Sequence, residues 1–156
     1  MRSRTANWFL CKIRYEKTME DGLQKKVTEQ YVVDALSFTE AEARIIDQMS
    51  QYISGEFEVQ EIDRCVFKEI FFSDGEMDDS WYKAKLHFIT IDEKTDKEKK
   101  TVVNYLVQAG SFEGARKNIA EVMGGTMIDY RIAGVNETNI MDVYEYVASK
   151  KEEAGK

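Results

Sequence analysis

The sequence predicts an α+β protein of two tandem β-β-α-β repeats with pseudo-two-fold symmetry, in which antiparallel sheet carries helices on one face. Three observations predict it. Residues 25–45, KKVTEQYVVDALSFTEAEARI, match residues 99–119, KKTVVNYLVQAGSFEGARKNI, at nine of 21 positions: Lys25, Lys26, Tyr31, Val33, Ala35, Ser37, Phe38, Ala41 and Ile45. Ahead of each copy, WFLCKIRY at 8–15 and WYKAKLHF at 81–88 alternate with a period of two, as half-buried strands do. Behind the shared Ser-Phe pair, the apolar spacing changes to that of a helix.

Taken in order, residues 1–6 are polar and expected to be loose. In the first strand Phe9, Cys11, Ile13 and Tyr15 share one face, and Trp8, Leu10, Lys12 and Arg14 the other. Its counterpart sets Tyr82, Ala84, Leu86 and Phe88 against Trp81, Lys83, Lys85 and His87. The offset between copies is 73 here (81 − 8) and 74 in the next strand (105 − 31), so the second hairpin loop is one residue longer. Asp21-Gly22 marks the first turn, because glycine tolerates the positive φ that such turns need. The second strands, 27–36 and 101–110, hold Tyr31 and Tyr105 in phase.

The helices follow. Ser37-Phe38-Thr39-Glu40 has the form of a capping box, in which serine and glutamate each satisfy a free backbone N–H. Phe38, Ala41, Ile45, Met49, Tyr52 and Ile53 recur at helical spacing, and Ser54-Gly55 stops the run. The second helix begins at Ser111-Phe112 and carries Ala115, Ile119, Val122 and Met123; Gly114 replaces the box glutamate, and Gly124-Gly125 should end it about one turn earlier. Third strands are expected at 56–62 and 126–132. Tails at 66–72 and 140–147 read as a further strand or a turn of helix. The predicted division is therefore 1–72 for the first repeat, an acidic connector at 73–80, 81–147 for the second repeat, and a charged tail at 148–156. One such repeat supplies no more than about 3–5 kcal/mol from its core, which favours two packed together.

Composition narrows the function. The chain has 156 residues, 43% of them hydrophobic, and a net charge of −7. That suits a soluble folded protein and disfavours attraction to nucleic acid or an anionic membrane. No apolar run approaches membrane-spanning length. Cys11 and Cys65 lack metal or redox spacing, so the reading is a cytoplasmic protein with reduced thiols. One histidine, His87, excludes a histidine metal cluster. The acidic group Asp74, Glu76, Asp78 and Asp79 does not fit a calcium loop, and no phosphate loop or dinucleotide fingerprint is present. The expectation is a non-enzyme with no cofactor and no metal.

One oddity remains, an aromatic-basic stripe on the two related strands: Trp8, Lys12 and Arg14, then Trp81, Lys83, Lys85 and His87. An open sheet face with aromatics and cations can stack bases and hold phosphates, which makes a single-stranded nucleic-acid-binding module one alternative. The plainer account has each Trp covering a sheet edge while each Lys lies over it. A small-ligand binder in a cleft between repeats is a further alternative, with Tyr31, Tyr105 and Lys85 as candidate groups.

The pattern W-[FY]-x-x-K-[IL]-x-[YF], followed by [YL]-x-V-x-A-x-S-F-x-x-A at the head of a helix, resembles a family of small domains of unknown function found in Bacteroidota and their phages. The resemblance runs from Trp8 to about Tyr146. It implies a cytoplasmic, non-enzymatic protein of bacterial or phage origin and carries no catalytic residues. Together these readings lead to a protein-protein interaction or accessory role, such as a phage-encoded inhibitor of, or adaptor to, a host protein. The expected partner is another protein, with no membrane, and the chain itself a monomer or homodimer.

Overall fold

The computed structural model describes residues 1–146. Its elements are β1 (Arg2–Arg4), β2 (Trp8–Thr18), β3 (Gln24–Asp34), α1 (Phe38–Ser50), β4 (Phe57–Arg64), β5 (Glu69–Phe72), β6 (Ser80–Ile91), β7 (Glu98–Ala109), α2 (Phe112–Gly124), β8 (Tyr130–Glu137) and β9 (Ile140–Tyr144). The fold is α+β, with two helices packed on two sheets. The chain forms two compact units. The α1 unit takes residues from 6–65 and from 139 onward; the α2 unit takes 1–5 and 66–138.

The α1 unit has a sheet in the order β4-β2-β3-β9, with β2 antiparallel to both neighbours and β9 parallel to β3. The α2 unit has the order β1-β5-β7-β6-β8, with β5 parallel to β7 and β1 antiparallel to β5. Each tail strand thus pairs in the sheet of the other half: β5 follows β4 in the chain but sits beside β7, and β9 follows β8 but sits beside β3. Chain length explains this. A place beside β3 runs in the same direction as β4, so a tail would first have to return along an eight-residue strand, about 25 Å. The links between strands are residues 65–68 and 138–139, which reach only about 17 Å and about 10 Å.

The hairpins match the expected phase and extend further toward their turns. Gly22 has φ of 82°, and Met19 N–H donates to Leu23 O at 2.8 Å. In the longer second loop the positive φ falls on Asp96 at 58°, and Asp92 N–H donates to Lys97 O at 2.9 Å. Ser37 Oγ accepts from Glu40 N–H at 3.1 Å and Ser111 Oγ from Gly114 N–H at 3.0 Å. Glu40 Oε1 accepts from Leu36 N–H, one residue outside the cap. Each helix core is short and apolar: Ala41, Ile45 and Met49 pack on Phe9, Cys11, Ile13, Val33 and Ala35, while Ile119 and Met123 pack on Ala84, Leu86, Val103, Tyr105 and Val107.

Several expectations are corrected. Residues 2–4 are not loose, because the outer edge of β5 takes them as a strand and Arg2 lies over the Phe72 ring at 4.1 Å. The helices are equal, 13 residues each; Ser54-Gly55 lie in the loop beyond α1. Phe38 and Tyr52 are 46% and 70% exposed instead of core residues. The third strand of the second half begins at Tyr130, not 126; the tail behind it, open between strand and helix in the sequence, is a strand. The connector is held as a turn: Ser73 Oγ donates to Asp78, Asp78 N–H donates to Gly75 O, and Met77 O lies where a Cβ on Gly110 would stand. Val147 and the tail at 148–156 lie outside the described residues.

Removing β9 by ending the chain after Thr138 should destabilise the α1 unit by about 3–6 kcal/mol, the worth of two buried aliphatic side chains. Ile140 and Val143 are 7% and 9% exposed. Hydrogen exchange should show protection falling in β3 and holding in β7. Loss in β7 first would contradict the strand assignment.

Candidate functional site

The stripe residues do not share one environment. Trp8 and Trp81 are 3% and 2% exposed. The Phe72 ring stands edge-on to Trp81, with centroids 5.7 Å apart at 83°. Stacking on a base needs an open ring face, so neither indole is available for it. The cations diverge between units. In the α1 unit Lys12 Nζ bonds Glu61 at 3.0 Å, and that hydrogen bond is the main cause holding the Glu61 carboxyl below its usual range. Arg14 faces Glu58 across the β2–β4 ladder and lines an open groove of about 740 Å³ with Glu16, Lys26 and Glu56. Lys12 is thus neutralised by a carboxylate on β4.

The α2 unit lacks those carboxylates. Lys83 and Lys85 are exposed, and the residues opposite them on β8 are Asn136 and Gly134. His87 is half-buried beside Arg131, whose guanidinium meets Glu98 at 3.6 Å. Across the other ladder they face Leu106, Asn104 and Val102. Val102 and Ile91, on the same face, are 53% and 68% exposed. The result is a cationic strip interleaved with apolar side chains on an otherwise acidic chain.

The tyrosines proposed for a ligand cleft are engaged within their own units. Tyr31 Oη and Tyr15 Oη both donate to Glu29 Oε1, at 3.1 and 2.8 Å, and Lys17 Nζ lies 3.7 Å from Oε2. Tyr31 also stacks on Tyr144 at 5.8 Å. Burial, followed by the Glu29 carboxylate, pushes the Tyr15 phenol up to about 12. Tyr105 is 3% exposed and stacks on Phe71. Sequence reasoning missed the Glu29 cluster. Its signal was present: Tyr15, Glu29 and Tyr31 fall on one face of paired strands, where the second half has Phe88, Val103 and Tyr105.

Burial disfavours the thiolate form of both cysteines. Burial raises Cys11 and Cys65 to about 12, and for Cys65 the neighbouring Cys11 and Asp63 add to it. Among the described residues no group of three or more His, Cys, Asp or Glu side chains is placed to hold a metal ion. Among them, too, no helix is long and apolar enough to cross a membrane.

A family model described as a domain of unknown function, DUF4494, matches residues 7–146. The chain belongs to the DUF4494 family. Comparison with the curated proteins and with the solved structures gives no significant match. The DUF4494 span contains both helices, every stripe residue and the Glu29 cluster, and it leaves out β1.

Two outcomes follow from these environments. Cys11 should react slowly with a thiol reagent near pH 8 and rapidly once urea unfolds the chain; fast labelling of Cys11 in the native protein would contradict its burial. The phenols of half-buried Tyr15 and buried Tyr105, raised to about 12, favour the folded state below the unfolded tyrosine pKa of about 10. That stability should be whole below pH 10 and decline as pH rises from there through 12, read by denaturation midpoints alongside tyrosinate absorbance.

Proposed function

We propose that the chain is a non-catalytic interaction protein whose α2-unit sheet face docks a protein partner carrying an acidic surface. One observation carries this reading. The same strand pattern in both halves yields lysine paired to glutamate in one unit, Lys12 with Glu61, and lysines opposite Asn136 and Gly134 in the other. Unanswered cations on a sheet, interleaved with exposed Val102 and Ile91, suit recognition of carboxylates with apolar contact.

We propose further that the two halves arose by duplication. The cap serines match, and Arg44 and Asn118, at an offset of 74 (118 − 44), both donate to a carbonyl of the preceding strand, Asp34 O and Gln108 O. In the bacterial or phage setting that the sequence resemblance implies, inhibition of or adaptation to a host protein is the corresponding role. The nucleic-acid alternative is less well supported, because its stacking rings are buried and the net charge of −7 repels a polyanion.

Affinity capture with the full chain and with Lys83→Glu/Lys85→Glu tests the proposal. Binding of the captured partner, measured in solution, should fall about tenfold or more in the double variant and weaken with salt, whereas Lys12→Glu should leave it nearly unchanged. Equal binding by the double variant would refute the assigned face. Salt-sensitive binding of single-stranded oligonucleotides, lost in the same variant, would replace a protein partner with nucleic acid.

A further inference from the structure

On the α1 unit, helix α1 and strand β4 bound a groove of about 310 Å³ lined by Phe38, Thr39, Glu42, Val59, Gln60, Glu61 and Ile62. Among the described residues strand β4 ends its sheet: it is bonded to β2 on one side and to no strand on the other. Its outer main-chain N–H and C=O groups therefore form a ready template for one more strand. We infer that this groove binds an extended, basic peptide segment, which adds to β4 as an antiparallel or parallel strand.

The helix wall supplies the apolar seat. Phe38 is 46% exposed, with the Phe9 ring edge-on beneath it at 5.1 Å and the Arg64 guanidinium 5.2 Å from its centroid. Ile46, one turn beyond Glu42 on the same flank, is 40% exposed. An added strand would turn alternate side chains toward this flank and the others toward the opposite face of the sheet. On that opposite face β4 presents Glu58, Glu61 and Asp63, the register partners of Arg14, Lys12 and Leu10. Apolar residues directed at Phe38 and Ile46, with lysine or arginine at the intervening positions, satisfy both sides.

Charge selects the occupant. A row of carboxylates along an edge repels a second copy of the same acidic edge, a common protection against aggregation. Glu61 is already bonded to Lys12 at 3.0 Å, so Glu58 and Asp63, with Glu42 on the helix wall, are the carboxylates left to attract a basic strand. The ladder slips between Lys12 and Ile13, leaving Gln60 without a partner on β2; this bulge bends the edge and places Gln60 in the groove wall. The α2 unit does not repeat the chemistry. At the positions of Glu42 and Ile46 it has Arg116 and Ala120, each at an offset of 74 (116 − 42 and 120 − 46).

The test is a titration of the full, ¹⁵N-labelled chain with a short capped peptide of alternating valine and lysine, followed by amide shifts. Saturable shifts are expected in residues 57–64 of β4 and 38–46 of α1. The variant Glu42→Lys/Glu58→Lys, altered at two exposed positions, should bind that peptide about tenfold or more weakly and should gain affinity for an alternating valine-glutamate peptide. The inference fails if no shifts saturate at millimolar peptide, if the shifts lie outside β4 and α1, or if the double variant binds unchanged. It also fails if the β4 amides shift with protein concentration alone, which would make a second copy of the chain the occupant. Because the lysine face is untouched by this variant, the two surfaces succeed or fail independently.

Discussion

The structure depends on the shortness of two links. After β4 the chain has four residues before its next strand, and after β8 it has two. Neither link can carry the chain back along the sheet it has just completed. Each tail strand is therefore delivered to the other sheet, where it fills the parallel position beside the central hairpin. Neither half of the sequence completes a sheet from its own residues, although each contains a full β-β-α-β pattern. A hairpin and helix of this size bury too little apolar surface to be stable on their own, and reciprocal strand donation ties the folding of one half to the other.

Within that frame the two halves differ in where they place charge. The α1 unit spends its polar groups on itself. Glu29 gathers two phenols and a lysine, Arg44 joins Asp34 and Glu40, and Glu61 holds Lys12. The α2 unit has apolar or neutral groups at several of the matching positions: Val103 for Glu29, Asn118 for Arg44, Gly134 for Glu61. Its core is simpler, and its surface lysines face no carboxylates on β8. One scaffold thus shows an acidic edge on one unit and a cationic strip on the other, and electrostatic complementarity of opposite sign can be read from the two.

Much of the fold was legible from periodicity. Period-two alternation placed Phe9, Cys11 and Ile13 on the buried face, and the Ser37 and Ser111 caps started both helices where the structure has them. Less of the candidate site was legible. Alternation assigns a residue to a face but does not say what covers that face, so Trp8 and Trp81 looked like a binding stripe and are buried. Lys12 and Lys85 looked equivalent along their own strands. The difference between them resides in β4 and β8, which pair across the ladder and are distant in sequence.

The sequence by itself determined the α+β class, the first hairpin turn, the helix starts and the inward face of the paired strands, because these depend on near neighbours and on spacing along one strand or helix. Only the tertiary structure decided the exchange of β5 and β9, the pairing of β1, the burial of the tryptophans and the neutralisation of one lysine stripe but not the other. Those features depend on which strands lie side by side, and that is set by how far short links can reach and by contacts between residues far apart in the chain.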